Sequence, residues 1–414
     1  MDFAADGVTV NIVVVSDFAH VNGGNAAVAL GSAIGLAGRG HAVTLFAGAG
    51  PVDNRIKASS IDVVCTDQYS IADDPRRLRA MVQGIWNAGA ARAMDALLRR
   101  MDLDTTVVHV HGWDKVLSSS VVRTALSMGA KVVCTYHDYV SVCPTGGFYN
   151  HPKDAICRLR PLSGACVRER CDRRNTAHKW WRVARSAVQR QWGGIPGEVK
   201  HVVVVSDFSR NILTPFFPDG TRVHHVRNMI EVARAEPVEP ESNKPFVMVG
   251  RLSREKGPHL LAAVAQQTGW PVRFVGEGES AEEVRRLAPA ATLTGWLSRE
   301  LVTQELSGAR AVIFPSLWYE TEGLVVLEAA ALGVPAVVAD TCAARDLVID
   351  GETGLYFRGG DATALHATMA RLEDDRLVRR LGRAAHRHYW SHPRSLENHV
   401  ADLEEVYAQV LSGH

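Results

Sequence analysis

Short runs of β-branched and aromatic residues punctuate the whole chain, each followed by a longer stretch with helical periodicity. In the first half they are VNIVVVS (10–16), AVTLFAG (42–48), TVVHVHG (106–112), KVVCTYH (131–137) and HVVVVSD (201–207). The second half adds PFVMVGR (245–251), VRFVGEG (272–278), AVIFPS (311–316) and PAVVAD (335–340). Most are continuous rather than alternating, so neither face of such a strand looks into water. That is the pattern of parallel strands covered on both sides. Parallel strands need crossovers, and the intervening helical stretches supply them. The chain is therefore constrained to doubly wound α/β units.

A length of 414 residues suits two such units. The stretch EVARAEPVEPESNKP (231–245) is rich in Glu and Pro, lacks periodicity and reads as an interdomain linker. Residues 1–230 then form an N-terminal Rossmann-like domain and residues 246–396 a C-terminal one. A final helix within 397–414 sets Leu403, Val406, Tyr407 and Val410 on one face and is expected to pack back on the first domain. The hexapeptide VVVSDF occurs at 13–18 and at 203–208. Ser and Asp are good N-caps, so both copies read as strand-to-helix junctions.

Composition excludes several classes. Lys plus Arg number 46 and Asp plus Glu 45, a net charge of +1 that gives no argument for nucleic acid. No apolar run approaches the roughly 18 residues that span a bilayer. The segment AAVALGSAIGLAG (26–38) follows Asp2, Asp6 and Asp17 without a basic stretch, and so reads as a core helix rather than a signal peptide. Seven cysteines suit a reducing, cytoplasmic setting. Cys143, Cys157, Cys166 and Cys171 fall within 29 residues. Zinc ligands favour tight CxxC pairs and none occurs there, so ordinary cysteines are the first reading and a zinc site the second. The carboxylates of DLD (102–104) stand at a helix-to-strand junction, where Asp commonly serves a turn.

Ligands of open α/β sheets bind beyond the carboxyl ends of the strands, and the unusual residues fall there. Gly23 and Gly24 follow the first strand. His111 ends TVVHVH, and His137 with Asp138 ends KVVCTYHD. Gly250 and Arg251 end PFVMVGR, the GEG at 276–278 ends RFVG, and Glu320 follows VIFPS. Such placements in two domains point to a cleft between facing sheets.

The stretch PSLWYETEGLVVLEAAALGVPAVVAD (315–340) sets Glu320 and Glu328 across a helix start. Residues 323–332 form a good helix, with Gly333 as its stop. The amides near Gly323 and Leu324 make a ready anion site. Glu320 lies just before them and Glu328 inside the helix, where every neighbour is apolar. A carboxylate accepts hydrogen bonds from two vicinal hydroxyls, as in dinucleotide folds. Carboxylates flanking an anion site suit ribose, diphosphate and hexose in one ligand. In VGRLSREKG (249–257), Arg251 and Lys256 supply the positive charge a diphosphate requires.

GRLSREKG followed by YETEGLVVLEAAALG resembles the paired signature of the family 4 retaining glycosyltransferases, as do NGG, HVH and VSDFSR. The resemblance implies the GT-B fold, two Rossmann-like domains with parallel sheets facing across a cleft. It implies no resident cofactor and no catalytic metal, with a nucleoside-diphosphate sugar as co-substrate. By this resemblance Arg251 and Lys256 bind the donor diphosphate beside Gly250, and Glu328 binds the ribose. Glu320 and the amides from Thr321, Glu322, Gly323 and Leu324 hold the donor sugar. His111 contacts the sugar near the reacting carbon, with His137 and Asp138 close by. Gly23 and Gly24 approach the phosphate or the acceptor, and Gly295 and Trp296 meet the nucleobase. Two positions depart from the pattern: Thr321-Glu322 replaces a Gly-aromatic pair, and Asn228 to Ile230 replaces an Asn-Gly. The expected reaction is transfer of a sugar to a glycan, a lipid-linked glycan or a small molecule, in polysaccharide or glycoconjugate biosynthesis. The rival readings are a sugar-nucleotide epimerase of the same fold and a non-catalytic two-lobed sugar-binding protein.

Residues 153–190 hold eleven Lys or Arg and three Asp or Glu, with Trp180 and Trp181, and Trp192 just beyond. They read equally as a solvated helical face or as a surface that holds the protein at the anionic inner face of a membrane, with Arg173, Arg174, Lys179, Arg182 and Arg185 as contacts.

Overall fold

Each of the β-branched runs forms a parallel strand. The computed structural model describes residues 9–413, so the outermost residues of the domain ranges above, 1–8 and 414, lie outside the described residues. In chain order come β1 (Asn11–Phe18), β2 (Ala42–Ala49), β3 (Asp62–Cys65), β4 (Thr106–Val110) and β5 (Lys131–Tyr136). Two short antiparallel strands follow, β6 (Tyr149–Asn150) and β7 (Ala155–Ile156). Then come β8 (His201–Val204), β9 (Arg222–His225), β10 (Phe246–Val249), β11 (Val272–Val275) and β12 (Thr292–Gly295). The series ends with β13 (Ala311–Phe314), β14 (Ala336–Ala339) and β15 (Gly354–Phe357).

The chain divides into two units. One holds the chain up to Gly146, Leu159–Met229 and the chain from Ser395 onward. Its sheet has the order β3-β2-β1-β4-β5-β8-β9. Its core joins Ile12, Val14, Leu30, Leu45, Val107 and Val133 to Val400, Leu403, Val406 and Tyr407 of the last helix, Leu396–Leu411. That helix is pinned by polar contacts as well. His399 Nε2 lies 2.8 Å from Ser32 Oγ, and Glu404 takes Arg39 and His41, each at 2.9 Å. The second unit holds Gly147–Arg158 and Ile230–Arg394, with a sheet in the order β12-β11-β10-β13-β14-β15. Both sheets are wholly parallel and wind outward from a central pair, as a doubly wound α/β unit does.

Four sequence readings need correction. Residues 147–158, counted above in the first domain, belong to the second unit. There β6 and β7 form a ribbon bound to the loop after β10. Arg254 Nε donates to Asp154 at 2.5 Å, and Tyr149 OH donates to the same carboxylate at 2.8 Å. The stretch 231–245 has no strand or α-helix but is packed rather than free. Val238 N donates to Leu332 O at 2.9 Å, and Glu231 pairs with Arg299 at 2.8 Å.

The two VVVSDF copies do different work. Ser206 caps the helix Asp207–Leu213 with a reciprocal bond to Ser209. Asp17 still lies within β1 and accepts the amides of Lys115, Val116 and Leu117 at 2.8–3.0 Å.

The basic segment is a solvated face only in part: Arg173 and Arg174 are exposed, as are Lys153, Arg158, Arg160, Arg168, Arg170 and Arg190, but three of its cations turn inward. Lys179 is 2% exposed and Arg185 7%. Arg182 pairs with Asp172 at 3.0 Å, and that carboxyl is held down at about 2 against the effect of its burial by His178, the Arg174 amide and Arg182. Lys179 Nζ donates to Cys171 Sγ at 3.2 Å and lies 3.8 Å from Cys166 Sγ. A buried ammonium repels a metal dication, and Cys157 lies in the other unit from Cys143, Cys166 and Cys171. Among the described residues no His, Cys, Asp or Glu group is arranged to hold a metal. Asp102 serves a turn, accepting the Asp104 amide at 3.1 Å.

Candidate functional site

In the second unit the site is built by backbones that approach closely. Gly276, after β11, sits against the Gly250 carbonyl, where a Cβ would lie 2.1 Å from the oxygen. Past β10 the chain runs through Arg251 to a turn, Arg254–Lys256, that ends at Gly257 with φ +72°. A Cβ on Gly257 would stand 2.2 Å from the Pro315 carbonyl. Glycine at that point lets the loops after β10 and β13 touch, and so brings Lys256 to Glu320.

Glu320 is buried. Its carboxylate forms an ion pair with Lys256 and accepts the Ser316 hydroxyl at 2.9 Å. The ammonium also stands 5.6 Å above the Trp318 ring. Arg251 is more open, its side chain 57% exposed and 3.7 Å from Glu255. The site therefore holds one cation committed to a carboxylate and one presented to solvent. The helix expected over 323–332 runs Leu324–Leu332, with Gly323 as an N-cap that no side chain caps and Gly333 as its left-handed stop.

Glu328 is not enclosed by apolar neighbours alone, as the sequence suggested. Its side chain is 22% exposed and faces Arg299 at 3.9 Å. Burial raises its pKa, Arg299 opposes the rise, and Glu231 adds to it. The Glu322 carboxylate is buried and taken by Arg394, which leaves the backbone amides as the groups the sequence reading assigned there. Thr321 is half-buried beside it. Gly295 ends β12, and the next residue, Trp296, is 76% exposed, its amide 3.4 Å from Glu277.

Sequence reasoning missed the ribbon that braces both loops. Asp154 holds Arg254, His151 stands 3.9 Å from Glu255, and Phe148 packs on Tyr319 with ring centroids 6.3 Å apart. Nothing local in the sequence marks these partners, which lie 100 positions or more from the residues they hold.

In the first unit a second cluster lies at the carboxyl ends of β1, β4 and β5. Gly23 precedes the helix Gly24–Gly38, and a Cβ on Gly23 would meet nothing within 4 Å. The fold therefore does not require glycine there. Asn25 donates to the His111 carbonyl at 3.0 Å. His111 Nδ1 lies 3.1 Å from His137 Nε2, and the rings stack. His111 is 2% exposed and its Nε2 has no hydrogen-bond partner among the described residues, while His137 is less enclosed. Behind them His109 is fixed by Tyr407 OH at 2.6 Å and Thr135 at 2.7 Å.

Burial, reinforced by the neighbouring rings, holds His111 well below the usual range and His137 at about 3, so both are neutral near pH 7. Asp138, which accepts the Val140 amide at 2.8 Å, is pushed up to about 7 by burial and by Asp114. The same two causes raise Asp17 to about 6. A cavity of about 850 Å³, lined by Lys131, His201 and Arg222, opens at the amino ends of β5, β8 and β9, away from all these residues.

Comparison with known proteins agrees with this arrangement. The family model described as Glycosyltransferase Family 4 matches residues 22–234, and the one described as Glycosyl transferases group 1 matches residues 229–388. Alpha-maltose-1-phosphate synthase of Mycolicibacterium smegmatis is 33% identical over 200 residues, covering 41% of this chain and 51% of that protein. The chain thus spans about half the length of the curated relatives it matches. Sucrose-phosphate synthase from Thermosynechococcus elongatus superposes with a TM-score of 0.70 at 17% identity, over 98% of this chain and 100% of that one. Anabaena HepE, solved with UDP and glucose, gives 0.65 at 13% identity, over 97% and 100%. At such identities these likenesses establish the fold, which is GT-B.

Proposed function

The chain belongs to glycosyltransferase family 4, and from that premise we propose that it moves a sugar from a nucleoside-diphosphate sugar to an acceptor with retention of anomeric configuration. The observation that carries the proposal is the Lys256–Glu320 pair, set between two touching loops with Arg251 open beside it. Arg251, Lys256 and the uncapped start of the helix Leu324–Leu332 place positive potential where a leaving diphosphate would gather charge. In this reading Glu328, in the same unit, accepts the ribose hydroxyls and the exposed Trp296 lies against the base. In HepE the bound nucleotide is UDP.

In this reading the bond between the anomeric carbon and the β-phosphate oxygen breaks as the positive groups take up the charge. The acceptor oxygen bonds to the anomeric carbon on the same face. Its proton passes to the departing phosphate oxygen. A covalent intermediate on Glu320 fits less well, because Lys256 and Ser316 both hold its Oε1 and the ion pair makes the carboxylate a weaker nucleophile. Neutral His111, whose Nε2 has no partner among the described residues, can offer a hydrogen bond to a sugar hydroxyl without adding charge. The acceptor class is a glycan, a lipid-linked glycan or a small molecule.

The test is a thermal-shift panel of UDP, GDP, ADP and TDP, followed by incubation with the matching nucleotide sugars. A true ligand at 100 times its dissociation constant stabilises by about 2.7 kcal/mol. Release of nucleoside diphosphate together with a product of unchanged anomeric configuration supports the proposal. An isomerised donor would mark an epimerase, binding without turnover a sugar-binding protein, and an inverted product would remove the retaining step.

A further inference from the structure

The helix Arg77–Ile85 is mounted with its apolar side outward. Facing the protein are Ala80, 2% exposed, and Gly84, where a Cβ would lie 2.7 Å from the Trp181 ring. At about 100° per residue, Leu78 and Val82 lie roughly opposite that pair. They are 81% and 66% exposed, with Met81 between them at 45%. An ordinary surface helix turns its apolar stripe the other way. The mounting is fixed, because Trp181 Nε1 donates to the Met81 carbonyl at 3.0 Å. Trp180, on the same abutting helix Thr176–Gln191, is itself 54% exposed.

Arginines flank the stripe. Arg76, Arg77 and Arg79 are all exposed. Arg77 is steadied by the carbonyls of Ile71 and Ala72, and Arg79 by Gln83. The nearest carboxylates are turned inward or occupied. Asp74 is buried, accepts the Arg76 amide at 2.8 Å and stands 3.9 Å from the Arg76 guanidinium, and Asp73, itself exposed, takes the Ser70 hydroxyl at 2.5 Å.

We propose that this stripe docks on an anionic lipid bilayer, with Leu78, Met81 and Val82 at the headgroup boundary and the arginines on lipid phosphates. The surface has the two properties such docking needs, an apolar ridge and a basic rim. A second copy of the chain fits it less well, because a two-fold contact sets arginine against arginine. The ridge protrudes, and a bilayer needs no matching pocket to receive it. The docking site thus lies on residues 76–82 and Trp180, not on Lys179 and Arg185, which are buried. The inference stands on this surface alone and does not depend on the transfer reaction.

The experiment is sedimentation of the full chain with phosphatidylcholine vesicles, with and without phosphatidylglycerol, and with no nucleotide sugar. At low salt the protein sediments with the anionic vesicles, stays free of the neutral ones, and is released as salt rises. Leu78→Asp with Val82→Asp abolishes binding. Arg76→Gln with Arg79→Gln weakens it by roughly tenfold or more. All four side chains are exposed, so the thermal midpoints stay at the wild-type value. Wild-type protein that ignores anionic vesicles, or binds neutral ones equally, overturns the proposal. So does binding that survives the two aspartates. A wild-type dimer that the same aspartates convert to monomer would reassign the stripe to self-association.

Discussion

Replacing Lys256 by methionine isolates how the second unit holds its buried carboxylate. Lys256 and Glu320 have side chains 22% and 9% exposed, and Ser316 adds a neutral hydrogen bond. Methionine keeps the aliphatic stem over Trp318 but removes the charge. Breaking a buried pair from one side costs on the order of 3–5 kcal/mol. Water still reaches part of this pair, which sets the cost at the lower end, about 3 kcal/mol. For a domain of this size 1 kcal/mol moves the melting temperature by roughly 2–4 °C, so Lys256→Met lowers it by about 6–12 °C. Adding Glu320→Gln removes the stranded charge, and the double variant regains at least half of the loss. The assay is thermal unfolding followed by circular dichroism near neutral pH, with no nucleotide present. A midpoint for Lys256→Met within about 1 °C of wild type would refute the reasoning. So would a double variant no more stable than the single one.

Gly257→Ala forces a side chain against the Pro315 carbonyl at a left-handed position, and denaturant unfolding should show a loss of about 1–3 kcal/mol. Arg251→Ala and Glu328→Ala each weaken nucleoside-diphosphate binding by about 1.5–3 kcal/mol in calorimetry, with smaller effects on acceptor binding. Transfer activity persists in excess chelator, because Arg251, Lys256 and the helix start carry the charge a metal would otherwise supply. Rescue of a chelated enzyme by magnesium or manganese would overturn that. The first unit loses stability as pH rises from about 4 towards 7, since Asp17 and Asp138 titrate at about 6 and about 7 when folded but from 3.8 when unfolded. Between those values the folded chain binds more protons than the unfolded one, so the stabilisation is complete at low pH and fades on the way up. Asp138→Asn flattens that slope, as read by urea denaturation across the range.

The strands legible in the sequence were those at the centre of each sheet. The four that were not singled out, β3, β9, β12 and β15, are the outer strands of the two sheets. Three of them carry exposed or half-buried residues throughout, so they lack the unbroken apolar run that marks a doubly covered strand. The helix over 323–332 was legible because Gly323 and Gly333 bracket it and all its signals are local. The ion pair that buries Glu322 was not legible because its partner, Arg394, lies 72 positions away. Lys179, Arg182 and Arg185 of the basic segment were misread even though the partners of the first two lie within 13 positions. A count of charges cannot show that Lys179 is turned inward onto Cys166 and Cys171, or that Arg182 is matched by Asp172. Three-dimensional pairing decides whether a charge is surface or core, and a single sequence does not display it.

The ribbon of residues 147–158 carries a consequence for anyone who would exchange parts between relatives. The second unit is not one continuous stretch of polypeptide. A gene fragment covering Ile230–Arg394 would leave behind Asp154 and His151, and with them the partners of Arg254 and Glu255. Such a graft would carry the loop after β10 without this brace, and on the proposed function its nucleotide affinity would fall even though every residue assigned to the nucleotide was present. A faithful chimera must transplant two separate segments, or rejoin them in a permuted order. Inheritance is likewise coupled: a recombination breakpoint between 158 and 230 would split one working half between two parents.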